Sequence, residues 1–507
     1  MHINIYRAPI SDAEKLVKSL LHREFEINAD NVEKIFNDEV KQHFAKLKDT
    51  IYLVVETSYV DKVYRDSYYH YYSSKLTRYK RECIRISLFE GKIRVSDFLD
   101  GKKIKRLQDK YRGFIVLRPT GRFVIGRSIV SPKALKDNSF LFCSTKFSST
   151  VNGIKLTVDG FPHSSQDTET ISCAETTLWA IMEYFSNKYS NYMPTLPSKI
   201  IGALNKVSYE RQVPSKGLNI MQMSFALKEF GFGTRVYSRE DYADEFERLL
   251  SCYTESGIPL IVAWENIKTG NIKHAVLVIG REKIDSAKID AIGPTTKFNE
   301  KLQAAILAKN ITIFDYDNIK KDFIFIDDNK PAYQRALLEK PAAHYDTKEW
   351  RDCKITYFIA PLYPKIYLEA FEARNYVMEF LTLGPEPLKD NSEILLRIYL
   401  ASSRSFKNKI AIDGTLKLNL KHFILEAAMP KFIWVAEIST KEHIKNQQVE
   451  GIVILDATEA DIYFNKPLIM AAYQDKYMII DEKTGKLNSN ALPLQKFSIY
   501  ENNLNAY

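Results

Sequence analysis

A chain of 507 residues is too long for a single hydrophobic core, and length alone predicts about three domains. Its 72 Lys and Arg against 63 Asp and Glu leave a net charge of +9, which permits an acidic partner without demanding one. The 30 Tyr and 28 Phe point to substantial β structure and exclude a disordered chain. Cys83, Cys143, Cys173, Cys252 and Cys353 are scattered, with no CxxC pair and no His/Cys cluster, which argues against structural zinc and a disulfide framework. No basic leader followed by an apolar run opens the chain, and no stretch approaches about 18 uncharged apolar residues. The expectation is a cytoplasmic, reducing setting with no membrane span. Walker, GxGxxG and HExxH patterns are absent, so neither a cofactor nor a metal is called for.

Residues 1–150 read as an α+β domain. Helical patterning covers 11–24 and 30–47, and strands follow at 51–56, 84–89, 114–117 and 122–125. Gly101, Gly113, Pro119 and Gly121 punctuate them. Tyr68, Tyr69, Tyr71 and Tyr72 precede Lys75, Arg78, Lys80, Arg81 and Arg85, a combination that could stack bases and meet phosphates. A tyrosine-rich exposed hairpin with a solvated cationic loop accounts for it more simply, so a nucleic-acid partner is not expected.

A second domain spans 151–340. A strand at 154–158 leads through Gly160-Phe-Pro162 and Gln166 to Ser172-Cys173-Ala174-Glu175. Ser172 and Glu175 have the spacing of a capping box, which predicts a helix beginning at Cys173. Ala174, Leu178, Ile181, Met182 and Phe185 then recur at helical spacing. A first-turn thiol lies where free N–H groups and the helix dipole favour a thiolate. A further helix at 217–230 closes on Gly231, and apolar strands at 257–264 and 274–280 pair, the second opened by His274. Residues 285–322 read as an insertion with helical character at 300–309. The strand at 323–326 then ends on Asp327-Asp328-Asn329. The third domain, 341–507, reads as helices at 367–381 and 393–403 followed by strands at 432–437, 451–455, 468–473 and 477–480.

Cysteine, histidine and carboxylate in that order, each at the end of an element, are the parts of a thiol nucleophile with its base and orienter. With Gln166 upstream, Gly217-Leu218 opening a second helix and Ser256-Gly-Ile-Pro before the His274 strand, residues 151–340 resemble a papain-like-fold cysteine peptidase. The branch they resemble most is the short bacterial form found in the leader-peptide peptidases of bacteriocin exporters. The resemblance implies a central papain-like domain between two α+β domains, with a protein or peptide as substrate. It implies Cys173 as nucleophile, His274 as base, Asp327 as orienter, and Gln166 with the Cys173 N–H as oxyanion donors.

Three features depart from that pattern. Gln166 lies seven residues before Cys173, one more than the family spacing, and 53 residues separate His274 from Asp327. The Asp327-Asp328 doublet leaves the orienter open, because successive strand residues face opposite sides. Asp327, directly at the strand end, is preferred, with Asp328 as the alternative. His163, in a Pro/Ser turn, is a remote candidate base, and Asp315 or Asp317 a remote candidate orienter. A competing reading is a catalytically silent papain-like scaffold that binds partners through its basic surface.

Overall fold

Apolar strands, several of them buried on both faces, form three sheets of seven strands each among the described residues, and Gln448–Val449 pairs with Phe497–Ser498 apart from them. The computed structural model describes residues 4–208, 210–463, 466–480, 487–493 and 495–506. The chain is a mixed α+β protein. The first sheet runs, in spatial order, Ile5–Pro9, Ile51–Tyr59, Cys83–Glu90, Tyr111–Leu117, Ser128–Val130, Ile154–His163 and Thr145–Val151, all antiparallel. The second runs Gln334–Ala336, Phe323–Ile326, Lys273–Glu282, Leu260–Glu265, Lys354–Leu362 and Gly233–Ser238, and Phe140–Phe142 pairs with the far end of Lys273–Glu282. The third begins at Thr312–Asp315, which lies parallel to Glu393–Ser402, and continues antiparallel through Phe432–Ser439 and Gly451–Asp456 to Leu487–Ala491.

Core residues alternate between the layers. Leu53 and Val55 of the first sheet and Ile261, Ala275 and Leu277 of the second enclose one core, which also takes Leu178, Trp179 and Ile181 of the Cys173–Lys188 helix. Val262, Trp264, Val276 and Val278 face the other way. They share a second core with Leu249 and Tyr253 of the Phe246–Glu255 helix and with Ile394, Leu396 and Ile398 of the third sheet. Gly280 has to be glycine where Phe140–Phe142 joins the second sheet: a Cβ there would stand 2.0 Å from the Leu141 carbonyl oxygen. Among the described residues no helix is long and apolar enough to cross a membrane.

Several elements differ from expectation. Residues 393–403, read as a helix, form the strand Glu393–Ser402. Leu395, Tyr399 and Ala401 are buried on one face and Ile394, Leu396, Ile398 and Leu400 on the other. Two-sided burial gives a continuous apolar run that periodicity cannot tell from a buried helix. Residues 122–125 form no strand; Ile125 makes an isolated bridge to Leu117. The sheets do not divide at 150 and 340. The strand expected to open the second domain extends the first sheet to His163, and Lys354–Leu362 belongs to the second sheet. The insertion contributes Thr312–Asp315 to the edge of the third. In place of the expected tyrosine-rich hairpin, Tyr68 and Tyr69 close the helix Lys62–His70 and Tyr72, 2% exposed, opens a short 3-10 turn, with Lys75 over the Tyr71 ring.

A buried charge network joins the second and third sheets. Glu255, at the end of its helix, accepts from Arg281 Nε at 2.6 Å and Arg397 Nη2 at 3.2 Å, and Arg397 Nη1 reaches Glu437 at 2.8 Å. Burial opposes ionisation of Glu255, but the two guanidiniums outweigh it and hold its pKa down at about 2. Its stabilisation is therefore complete above the ordinary carboxyl pKa and lost as pH falls from there toward about 2. Glu255→Ala strands the buried Arg281 guanidinium and leaves Glu437 as the remaining carboxylate of Arg397, and chemical denaturation should show a loss of about 3–5 kcal/mol at neutral pH.

Candidate active site

Cys173 is the first residue of the helix Cys173–Lys188, and the cap that places it there is built from its neighbours. Ser172 is extended, with φ −91° and ψ −173°, and its N–H donates to the Glu175 carboxylate at 3.0 Å. The Ser172 hydroxyl donates to the same oxygen, while the second Glu175 oxygen accepts from Ser215 Oγ at 2.6 Å. One turn on, Thr177 Oγ1 donates to the Ala275 carbonyl at 3.2 Å, which ties the nucleophile end of the helix to the strand that His274 opens. Cys173 is part-exposed, whereas Cys83, Cys143, Cys252 and Cys353 are buried.

His274 pairs across the sheet with Trp264 and is 6% exposed. Its Nε2 lies 2.9 Å from Asp327 Oδ1 and 3.3 Å from Asp328 Oδ1, and the Cys173 side chain is close enough to raise the pKa of the imidazole. With both carboxylates on Nε2, Nδ1 is the nitrogen left for the thiol. Asp327, wholly buried, accepts four hydrogen bonds: from His274, from the Asn329 N–H at 3.0 Å, from His344 Nε2 at 3.1 Å and from the Tyr345 hydroxyl at 2.8 Å.

These contacts set the charges. Burial favours the neutral imidazole, but the Asp327 charge, its hydrogen bond, the neighbouring Cys173 side chain and Asp328 outweigh it and raise the His274 pKa well above its usual range. For Asp327 burial is likewise overcome, by His274 and His344, and its carboxyl is held far below the carboxylate range. Asp328 goes the other way. Burial, only partly offset by His274 and reinforced by the Asp327 charge, pushes it up to about 7. Neither Asp328 carboxyl oxygen has a hydrogen-bond partner. The arrangement thus holds an imidazolium–carboxylate pair beside a thiol, with a second carboxyl as a neutral neighbour below about pH 7.

Aromatic rings seal the pair. Trp350 meets the imidazole edge-on at 5.3 Å and 85°, Trp264 approaches at 5.9 Å, and Tyr345 stacks on Trp350 at 4.2 Å and 4°. Excluding water strengthens each electrostatic contact inside. His274, Asp327 and Asp328 are also near enough for a cation, with ligand atoms within 4.8 Å of one another. Asp327, already engaged by four donors, would have to release some of them.

Cys173, His274, Asp327 and Asp328 therefore come together. The alternation argument that let only one aspartate reach His274 fails because the strand ends at Ile326, so the doublet lies in a turn. Gln166 reaches the periphery: its amide donates to Asn329 Oδ1 at 3.0 Å, and Asn329 Nδ2 lies 3.5 Å from His274 Nε2. One of its amide protons is thus committed to Asn329, away from the thiol. His163 serves the turn instead of the thiol, with Nε2 at 3.2 Å from the Asp327 carbonyl and 2.9 Å from that of Lys330. Two carbonyls on one ring nitrogen require Nε2 to carry the proton. Asp315 and Asp317 pair with Arg374.

Nothing in the sequence pattern singled out His344, Tyr345 or Trp350, which lie outside any periodic segment. The first sheet's unit also grips the loop before Cys173. Arg118 Nη2 donates to the Ser165 and Gln166 carbonyls at 3.0 and 3.2 Å, and Lys75 pairs with Glu169. No protein-family model matches this chain, and no curated protein matches it.

Proposed function

We propose that the chain is a papain-like cysteine hydrolase, acting as a peptidase on a peptide or isopeptide bond. The observation that carries this reading is a helix first-turn thiol beside an imidazole that a buried carboxylate holds at Nε2. The Cys173 thiolate attacks the carbonyl carbon, and its developing oxyanion is met by the Cys173 N–H at the helix N-terminus. Gln166 would join it only on releasing Asn329. The tetrahedral intermediate collapses to a thioester as His274 gives its proton to the leaving amine. Neutral His274 then takes a proton from water, which attacks the thioester and regenerates the thiol. Asp327 keeps Nε2 fixed, so that Nδ1 presents to sulfur throughout. Amidase, deamidase and acyl-transferase reactions use the same residues and are variants of this reading.

The test is alkylation of the intact protein by iodoacetamide at pH 7, followed residue by residue by mass spectrometry. Cys173 should react first, and His274→Ala should slow its modification by about 10- to 100-fold, because the imidazolium that holds the thiolate is gone. A rate unchanged by His274→Ala would favour the silent-scaffold reading.

A further inference from the structure

At the opposite end of the Cys173–Lys188 helix lies a cavity of about 580 Å³, where the helix, the second sheet and the third sheet meet. Its volume is that of a small-molecule site, and such sites favour junctions between units. Phe185, Tyr189, Tyr192, Tyr363 and Phe432 contribute rings to its walls. Phe185 lies 5.3 Å from Tyr192, and Tyr363 lies 5.0 Å from Phe432, so the wall rings come in two packed pairs. The lining also holds Lys188, Arg404 and Lys431, and no Asp or Glu.

None of those three cations makes an ion pair among the described residues. Lys188 donates to the Tyr184 hydroxyl at 2.7 Å, and Lys431 stands over the Tyr363 ring at 4.4 Å. Burial lowers the Lys188 pKa, a desolvation cost that an anion in the cavity would relieve. Three cations around aromatic walls, with no carboxylate to neutralise them, are complementary to one kind of occupant.

We infer that this cavity binds a small organic anion with a planar ring, the ring lying among the tyrosines and the anionic group meeting Arg404, Lys431 and Lys188. A nucleoside monophosphate and an aryl carboxylate share that chemistry. Such a ligand would touch the last turn of the helix that carries Cys173 in its first, about 24 Å away along the axis. The site stands whether or not Cys173 is catalytic.

Isothermal titration calorimetry on the full chain tests it, with AMP, 2-naphthoate and inorganic phosphate as separate probes. Saturable binding of AMP or 2-naphthoate is expected, weakened about tenfold or more by Arg404→Glu and by Lys431→Glu. Both residues are exposed, so these variants should fold. Binding of AMP alone identifies a nucleotide as the source, 2-naphthoate alone an aryl acid, and both the shared chemistry. Binding of phosphate alone, no saturable binding by any probe, or affinities unchanged in both variants overturns the inference.

Discussion

Cys173→Ala is expected to remove turnover by about 10⁶-fold, the loss seen when the nucleophile of a comparable triad is deleted. No other thiol can substitute, because Cys83, Cys143, Cys252 and Cys353 are buried. The fold should survive. Cys173 is only part-buried, and the cap that starts its helix runs through Ser172, Glu175 and Ser215, none of which the change touches. The stability change should therefore stay within about 1 kcal/mol, measured as a denaturant midpoint. Comparing the peptides of cells carrying wild type with those carrying Cys173→Ala would then read bond type and substrate together. Turnover within about tenfold of wild type in the variant would place the chemistry on another residue, whatever the alkylation pattern.

The site was more legible in the sequence than the architecture. Cys173 could be placed because a capping box is a local device: four residues fix where the helix starts, whatever packs later. His274 and Asp327 could be placed because apolar strands announce their own ends. Which aspartate faces His274 was not local. It depended on the chain leaving the strand at Ile326, and on His344 and Tyr345, which approach from a loop that no periodicity marks. The direction of the Gln166 amide was not local either, since it is set by Asn329, a residue 163 positions away.

Sheet membership was the least legible feature, because strand pairing is set by long-range contacts. Thr312–Asp315 looks like part of an insertion until it pairs with Glu393–Ser402, and that strand reads as a helix because both its faces are buried. The basic, tyrosine-rich segment resisted a sequence reading for the same reason. Lys75 reaches Glu169, and Thr170 Oγ1 reaches Ser67 Oγ at 3.2 Å, so the segment braces the approach to Cys173.

Asp327→Ala is expected to cost both activity and fold, and Asp328→Asn to separate the two carboxyls. Removing Asp327 takes the acceptor from His274, His344, Tyr345 and the Asn329 N–H at once, in a site its own side chain leaves fully buried. Breaking a buried pair in this way costs about 3–5 kcal/mol. Asp327→Asn keeps the volume, but should still lower turnover by about 10⁴-fold, as the equivalent change does in Ser-His-Asp enzymes, by misorienting the imidazole. Asp328 behaves differently because its pKa is raised to about 7. The folded state then binds a proton that the unfolded chain has already released, so stability falls as pH rises from the ordinary carboxyl range through about 7. Asp328→Asn, neutral throughout, escapes that loss. It should match wild type below the ordinary carboxyl range, pull ahead as pH rises from there, and hold a constant lead above about 7, read from denaturant midpoints at several pH values. Its alkylation rate should also part from wild type only above that pH, where the missing charge no longer supports the His274 imidazolium. A difference of the same size at every pH would mean that Asp328 acts through packing alone.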